Sequence, residues 1–342
     1  MSRAGELEVD EAVAGLKAAA DPTRLRILLL LAAGELNVKD LTRILGQSQP
    51  RISRHVKLLG EGGLVERVRE GSWVFCRLAD GPHGDLARAI VHAIKSDDPV
   101  YVRDRQRAEA LKSEREGAAQ SYFRTHATDW DRIRSLHVSE AEVEGAMREA
   151  LGSERADLLL DLGTGTGRTL ELFSDIYDRG VGIDVNQSML AYARAKLSRE
   201  GLDHAQVRHG DIYNLSFGDG VADAIVMHQV LHFLSDPARA IREAARVLAP
   251  GGRLLIVDFA PHELEFLREQ FAHERLGFSA AQVGHWLAEA GLSLVQSREL
   301  APPAGRDAGK LTVSLWLATR PKSRKTSLSV RNETLQPMES SP

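Results

Sequence analysis

Three glycines, Gly163, Gly165 and Gly167, follow the apolar run Leu158-Leu159-Leu160-Asp161-Leu162, and a strand running into such a turn suits the close approach of backbone to a ligand. A Cβ at these positions would block the peptide groups, so the chemistry implied is ligand cradling. A dinucleotide fingerprint, Gly-x-Gly-x-x-Gly, needs glycine at 168, where Arg168 stands, and no phosphate loop ending Gly-Lys-Ser/Thr is present. About twenty residues on, Val181-Gly182-Ile183-Asp184 ends a second strand in a carboxylate able to accept hydrogen bonds from both hydroxyls of a ribose. A different chemistry is written near the N-terminus. Ile52, Val56 and Leu59 recur at i, i+4 and i+7, which turns Pro50, Arg51, Arg54 and Lys57 to the opposite face of a helix. Cations and short polar groups on such a face suit the major groove of DNA, where Arg can make a bidentate contact to guanine.

The elements that must position these residues divide the chain in two. Residues 1–95 read as short helices followed by a hairpin. Asp21-Pro22 caps and opens one helix, Gly46 ends another, Ser48 caps the next, and the hairpin turns at Glu70-Gly71 with Arg67 and Arg69 available for phosphates. Residues 96–120 are polar and charge-mixed and read as a partly helical linker. In 121–319 short apolar runs alternate with amphipathic segments, the pattern of a parallel sheet built from βαβ units. Strands are expected over 157–162, 181–184, 205–209, 222–227, 252–258, 292–299 and 311–318, the last two as a hairpin. The tail, 320–342, lacks apolar periodicity and reads as disordered.

The net charge of −4 is unevenly spread. Residues 37–77 hold eight Lys and Arg against four Asp and Glu, so a basic segment of +4 sits in a chain that is otherwise acidic. A lone cysteine, Cys76, excludes an intramolecular disulfide, and without a charged-then-apolar leader the expected location is the cytoplasm. The longest aliphatic run, 27–33, falls far short of the roughly 20 residues a membrane span needs.

Asp21-Pro22-Thr23-Arg24-Leu25-Arg26-Ile27-Leu28, the helix pair 38–59 and the hairpin 64–75 resemble the ArsR family of dimeric bacterial repressors. The resemblance covers about residues 12 to 95. It implies a winged helix-turn-helix that binds a double-stranded operator as a homodimer, with Ser48, Gln49, Arg51, Ser53, Arg54, Lys57, Arg67 and Arg69 as DNA contacts. Leu86, Ile90 and Ile94 form an apolar stripe suited to pairing. The family's metal sensors carry Glu-Leu-Cys-Val-Cys-Asp, where this chain has Glu35-Leu36-Asn37-Val38-Lys39-Asp40. Both thiols are missing, and Lys39 brings a positive charge to a place where a soft cation needs thiolate. No metal site is expected there, nor at His83 and His92, nor at His228 and His232, where Gln229 replaces the glutamate of a zinc protease.

Asp161-Leu162-Gly163-Thr164-Gly165-Thr166-Gly167, Asp184, Gly210-Asp211-Ile212, 223–233 and Leu248-Ala249-Pro250-Gly251-Gly252 together resemble class I S-adenosylmethionine-dependent methyltransferases. The resemblance spans about 120 to 318. The fold class expected is therefore an N-terminal α+β winged helix-turn-helix joined to a C-terminal α/β Rossmann-like domain with a mostly parallel seven-stranded sheet. It implies S-adenosylmethionine or S-adenosylhomocysteine as ligand, held by Asp161, Gly163, Thr164, Gly165, Gly167, Asp184, Val185, Met189, Asp211, Ile212 and His228. His228 is also the candidate base or substrate contact, with a structural histidine as the alternative. Amino-methylating DNA enzymes need Asp/Asn-Pro-Pro-Tyr/Phe where Met227-His228-Gln229-Val230 stands, cytosine-C5 enzymes need a Pro-Cys, and arsenic methylation needs several thiols. A small-molecule methyl acceptor, or none, remains. The segment 258–278 falls where such folds place a substrate lid. Two functions stay open: a repressor whose second domain senses the methyl donor or its product, and a small-molecule methyltransferase with the winged helix as tether or regulatory module.

Overall fold

The computed structural model describes residues 6–95, 97–126, 140–301 and 311–322. In the N-terminal domain α1 (Val9–Ala19), α2 (Pro22–Leu31), α3 (Val38–Leu45) and α4 (Gln49–Glu61) precede a hairpin of β2 (Val65–Glu70) and β3 (Trp73–Leu78), and α5 (Gly81–His92) follows. The two-residue β1 (Leu36–Asn37) pairs with β3 to complete a small sheet. Asp21 starts α2 by accepting the Thr23 and Arg24 amides at 2.9 and 3.1 Å, and Pro22 takes a first-turn position where no N–H is missed. Asn37 caps α3 through the Asp40 amide at 2.9 Å, and Gly46 ends that helix in the left-handed conformation at φ +65°. Ser48 stands at the N-cap of α4, but its side chain makes no capping bond, contrary to expectation. Ile52, Val56 and Leu59 are buried with Ile27, Leu28, Leu41 and Ile44, which fixes the cationic face of α4 outward.

The C-terminal domain starts with α7 (Glu140–Leu151). It continues through β4 (Ala156–Leu162), α8 (Arg168–Leu172), β5 (Tyr177–Asp184), α9 (Gln187–Arg199), β6 (Ala205–His209), β7 (Ala222–His228), α10 (Pro237–Val247), β8 (Leu248–Phe259), α11 (Phe266–Gln270), α12 (Ala280–Glu289), β9 (Ser293–Leu300) and β10 (Val313–Thr319). The sheet runs β6-β5-β4-β7-β8-β10-β9, with β10 antiparallel to both neighbours and the other pairs parallel. All seven strands overlap the segments read from the sequence. Leu159 enters the core on one face of the sheet while Leu158, Leu160 and Leu162 enter the other, so β4 is apolar on both faces apart from Asp157 and Asp161. No helix among the described residues is long and apolar enough to cross a membrane.

Residues 96–120, expected as a linker, fall largely within α6 (Pro99–His126), one helix of 28 residues. Its first half belongs to the N-terminal domain's packing. Buried Asp104 takes both Arg26 nitrogens at 2.6 and 2.7 Å, Arg107 donates to the Ile44 carbonyl at the end of α3 at 3.0 Å, and Leu111 enters the core beside α3. Its second half packs on α9. Of the tail, residues 320–322 continue from β10, and 323–342 lie outside the described residues.

Candidate functional site

A cavity of about 470 Å³ opens at the carboxyl ends of β4, β5 and β7. Ligands bind at this edge of an open α/β sheet because the loops leaving neighbouring strands diverge there. The glycine turn is tied to β5 by the Gly163 and Thr164 amides, which donate to the Ile183 carbonyl at 2.8 and 3.0 Å. Gly163 needs to be glycine twice over: its φ is +78°, and a Cβ would sit 2.4 Å from Val230 in the loop after β7. Thr164 donates to buried Asp161 at 2.6 Å, which braces the turn from beneath. Asp184 accepts the Gly165 amide at 2.9 Å and the Asn186 amide at 2.8 Å. Burial pushes its carboxyl above the usual range, and the Asn186, Gly165 and Val185 amides offset part of that rise.

Nine of the expected ligand contacts, Gly163, Thr164, Gly165, Asp184, Val185, Met189, Asp211, Ile212 and His228, line this cavity. Asp161 and Gly167 do not line it. Asp161 is spent on Thr164, and Gly167 starts α8 at φ +79°, where a Cβ would touch Ala193. A carboxylate at Asp184, a second at Asp211 and the backbone of the turn at Gly163 to Gly165 around one cavity are a donor and acceptor set that fits an adenosyl group.

Several lining residues carried no legible signal. Arg168, at the position where a dinucleotide fold wants glycine, lines the cavity and makes two bonds of 2.7 Å to Glu144 of α7. From α6 come Glu109, Lys112, Gln120 and Phe123. The Lys112 ammonium lies 4.2 Å from the Tyr213 ring centroid, and Asn186 donates to both the carbonyl and side-chain oxygens of Gln120 at 3.1 and 3.0 Å. After β7, Gln229 is buried in a left-handed conformation at φ +52°, a strained backbone for a residue with a Cβ. His232 is buried against Asp258, Nδ1 to Oδ1 at 2.7 Å, and does not line the cavity; the pair ties the turn that follows His228 to the end of β8. Cys76 is buried in the N-terminal domain, where desolvation pushes its thiol up to about 12.

On the N-terminal domain Ser48, Gln49, Arg51, Ser53, Arg54, Lys57, Arg67 and Arg69 are all exposed. The expected pairing stripe, Leu86, Ile90 and Ile94, is half-buried, with Leu86 and Ile90 packed against their own domain's core, while α1 exposes Val9, Val13 and Leu16 along one face. The segment 258–278, expected as a lid, instead reaches the N-terminal domain. Arg275 is fully buried, donating to Glu70 at 2.6 Å and Glu35 at 3.0 Å with its guanidinium 4.0 Å from the Phe75 ring centroid. Desolvation works against its charge, but Glu35 and Glu70 outweigh that and hold it protonated. Arg115 of α6 bridges Asp40 and Glu274, the latter at 2.5 Å. The His232 carbonyl accepts the Glu274 and Arg275 amides at 2.9 and 3.0 Å, so these two residues hang from the loop that closes the cavity.

Two family models match the chain: a bacterial regulatory protein of the arsR family over residues 21–67 and a methyltransferase domain over residues 160–256. The arsenical resistance operon repressor of Escherichia coli K12 is 54% identical over 68 residues, 20% of this chain and 56% of that protein. The uncharacterized methyltransferase YcgJ of Bacillus subtilis 168 is 32% identical over 126 residues, 36% of this chain and 50% of that protein. The chain thus spans about half the length of the curated relatives it matches. In fold, it is similar to a chain from the complex of the Haloferax volcanii Trm112 methyltransferase activator with a candidate methyltransferase. The TM-score is 0.50 at 22% identity, covering 58% of this chain and 97% of that one. One polypeptide thus carries a region similar to an arsR-family regulator domain and a region similar to a methyltransferase domain.

Proposed function

We propose that this protein is a cytoplasmic transcriptional regulator, working as a homodimer, whose operator affinity responds to S-adenosylmethionine or S-adenosylhomocysteine held in the second domain. The observation that carries the reading is the double role of α6. Within two turns, Arg107 and Leu111 are built into the winged helix while Glu109 and Lys112 face the ligand cavity. A ligand that presses on this helix therefore acts on the DNA-binding core directly. A second support lies at Glu35 and Asp40, the acidic ends of the motif that holds thiols in the metal sensors this domain resembles. Here they are gripped by Arg275 and Arg115, so the same corner is tied to the second domain in place of a metal.

In this reading Asp184 takes the ribose hydroxyls, Met189 and Asp211 flank the adenine, and the turn 163–167 holds the amino-acid end of the ligand. Arg51, Arg54 and Lys57 read the operator, Arg67 and Arg69 contact phosphates, and the exposed α1 face of Val9, Val13 and Leu16 pairs the subunits. S-adenosylmethionine, when bound, supplies an electrophilic methyl group. A second reading, methylation of a small molecule, draws on the strained Gln229 beside His228, since strain of this kind collects at active sites. His228 would then accept the proton that the acceptor loses.

The test is calorimetry of both ligands with the full chain, followed by gel-shift titration of an enriched operator without ligand and with each. The sensor reading expects a shift of about 5- to 150-fold for at least one ligand. Bound ligand with unchanged operator affinity, together with transfer of labelled methyl to an acceptor, would favour the enzyme.

A further inference from the structure

The tip of the β2–β3 hairpin is the part of a winged helix that projects toward DNA, and here Glu70, Ser72 and Trp73 around it are held by the second domain. The Ser72 amide donates to Glu265 at 2.6 Å. Trp73 lies beneath the Arg268 guanidinium, 4.3 Å from its ring centroid, and Arg268 also donates to the Glu70 carbonyl at 3.3 Å. The approach at Gly71 is so close that a Cβ there would fall 2.1 Å from the Glu265 carboxylate. By contrast, among the described residues no hydrogen bond or ion pair joins α4 to the second domain.

A backbone N–H at a loop tip is a donor that DNA-binding proteins offer to phosphate oxygens. From this geometry we infer that Glu265 stands in for a DNA phosphate at the Ser72 amide, so that the second domain and DNA compete for one hairpin and the docked state holds the wing off the duplex. The argument rests on the DNA-binding reading above and adds to it a means by which the second domain weakens binding. Burial disfavours the Glu265 charge, but the Ser72 amide and hydroxyl and Arg268 outweigh burial and keep the carboxyl below its usual range. The ionised carboxylate, paired with Arg268 at 3.1 Å, therefore occupies the Ser72 amide at neutral pH and leaves it no free donor for a phosphate. Arg67 and Arg69 stay exposed on β2, but the docked tip limits how far they can follow the backbone of a duplex.

The experiment compares Glu265→Ala with Glu269→Ala in the full chain. Each removes one negative charge, Glu265 at the N-cap of α11 and Glu269 within it, and of the two only Glu265 bonds to the hairpin. A duplex enriched from a random pool by the wild-type protein is titrated at fixed salt, since phosphate contacts make affinity salt-dependent. Hydrogen exchange at the Ser72 amide is followed in parallel. Glu265→Ala should speed Ser72 exchange and tighten DNA binding about fivefold or more beyond Glu269→Ala. Equal tightening in the two variants would reduce the effect to net charge and overturn the proposal, as would faster Ser72 exchange with unchanged affinity. If the wild-type chain enriches no duplex at all, the DNA-binding reading itself fails and this inference falls with it.

Discussion

The recognition helix and the wing belong to one domain, yet they meet opposite surroundings. Helix α4 turns Arg51, Arg54 and Lys57 to solvent, with no hydrogen bond or ion pair to the second domain among the described residues, whereas the hairpin 65–78 has Glu70, Ser72 and Trp73 clasped by Arg275, Glu265 and Arg268. In the proposed reading, half of a DNA-reading surface is free of the second domain and half is bound by it. The clasp is built from charge and aromatic faces, which break and reform on a few contacts, and not from a continuous apolar seam. That chemistry suits a reversible contact.

The sharpest way to break the comparison is to remove its central pin. Arg275→Ala leaves Glu70 and Glu35 without their buried counter-ion, and loss of one partner of a buried pair costs about 3–5 kcal/mol. The expected outcome is a lower denaturation midpoint and loss of exchange protection across 65–78 while 49–61 keeps its own; equal loss in both segments would contradict the division. Next in size is Asp184→Ala, which removes the ribose acceptor and should weaken S-adenosylhomocysteine binding by about 3 kcal/mol, roughly a hundredfold, on a folded protein. Circular dichroism and calorimetry decide it, and unchanged affinity would mean that another carboxylate holds the ligand. Arg54→Ala should weaken operator binding by about 1–3 kcal/mol if it reads a base edge. Because no hydrogen bond or ion pair among the described residues joins α4 to the second domain, this loss should be the same in the Glu265→Ala background, as independent sites add.

The smallest expected effect is a pH dependence. With the Glu265 carboxyl held below its ordinary 4.5 in the docked state, its contribution is full above that value and is lost as pH falls through the lowered one. Ser72 exchange, corrected for intrinsic rate, should accelerate on acidification in the wild type more than in Glu265→Ala. Parallel profiles would remove Glu265 from the clasp.

Legibility followed sequence distance. Ile52, Val56 and Leu59 announce a helix face within eight residues, and the turn 163–167 with Asp184 announces a ligand site within about twenty, because local backbone geometry alone dictates those residue types. Arg275 meets Glu70 across 205 positions, and nothing near either residue distinguishes it from a solvated charge. Arg168 departed from one fingerprint for a reason visible only once Glu144 lay beside it. Helix α6 did leave a trace: a long helical stretch, polar all round, is the composition of a helix bridging two domains, and reading it as a linker missed the packed contacts at Asp104, Leu111 and Gln120. The contacts of 258–278 were illegible for the same reason, since Glu35, Asp40 and Glu70 lie in another domain.

The central claim is that one free energy joins the ligand cavity to the DNA face, and the most direct test is reciprocity. The affinity of the full chain for S-adenosylhomocysteine and for S-adenosylmethionine is measured by calorimetry with and without saturating operator duplex, at one salt concentration. The operator's affinity is measured with and without each saturating ligand. The account predicts that the factor by which a ligand changes operator affinity equals the factor by which operator changes that ligand's affinity, at about 5-fold or more for at least one ligand. Ligand affinities that do not move when the operator binds would contradict it.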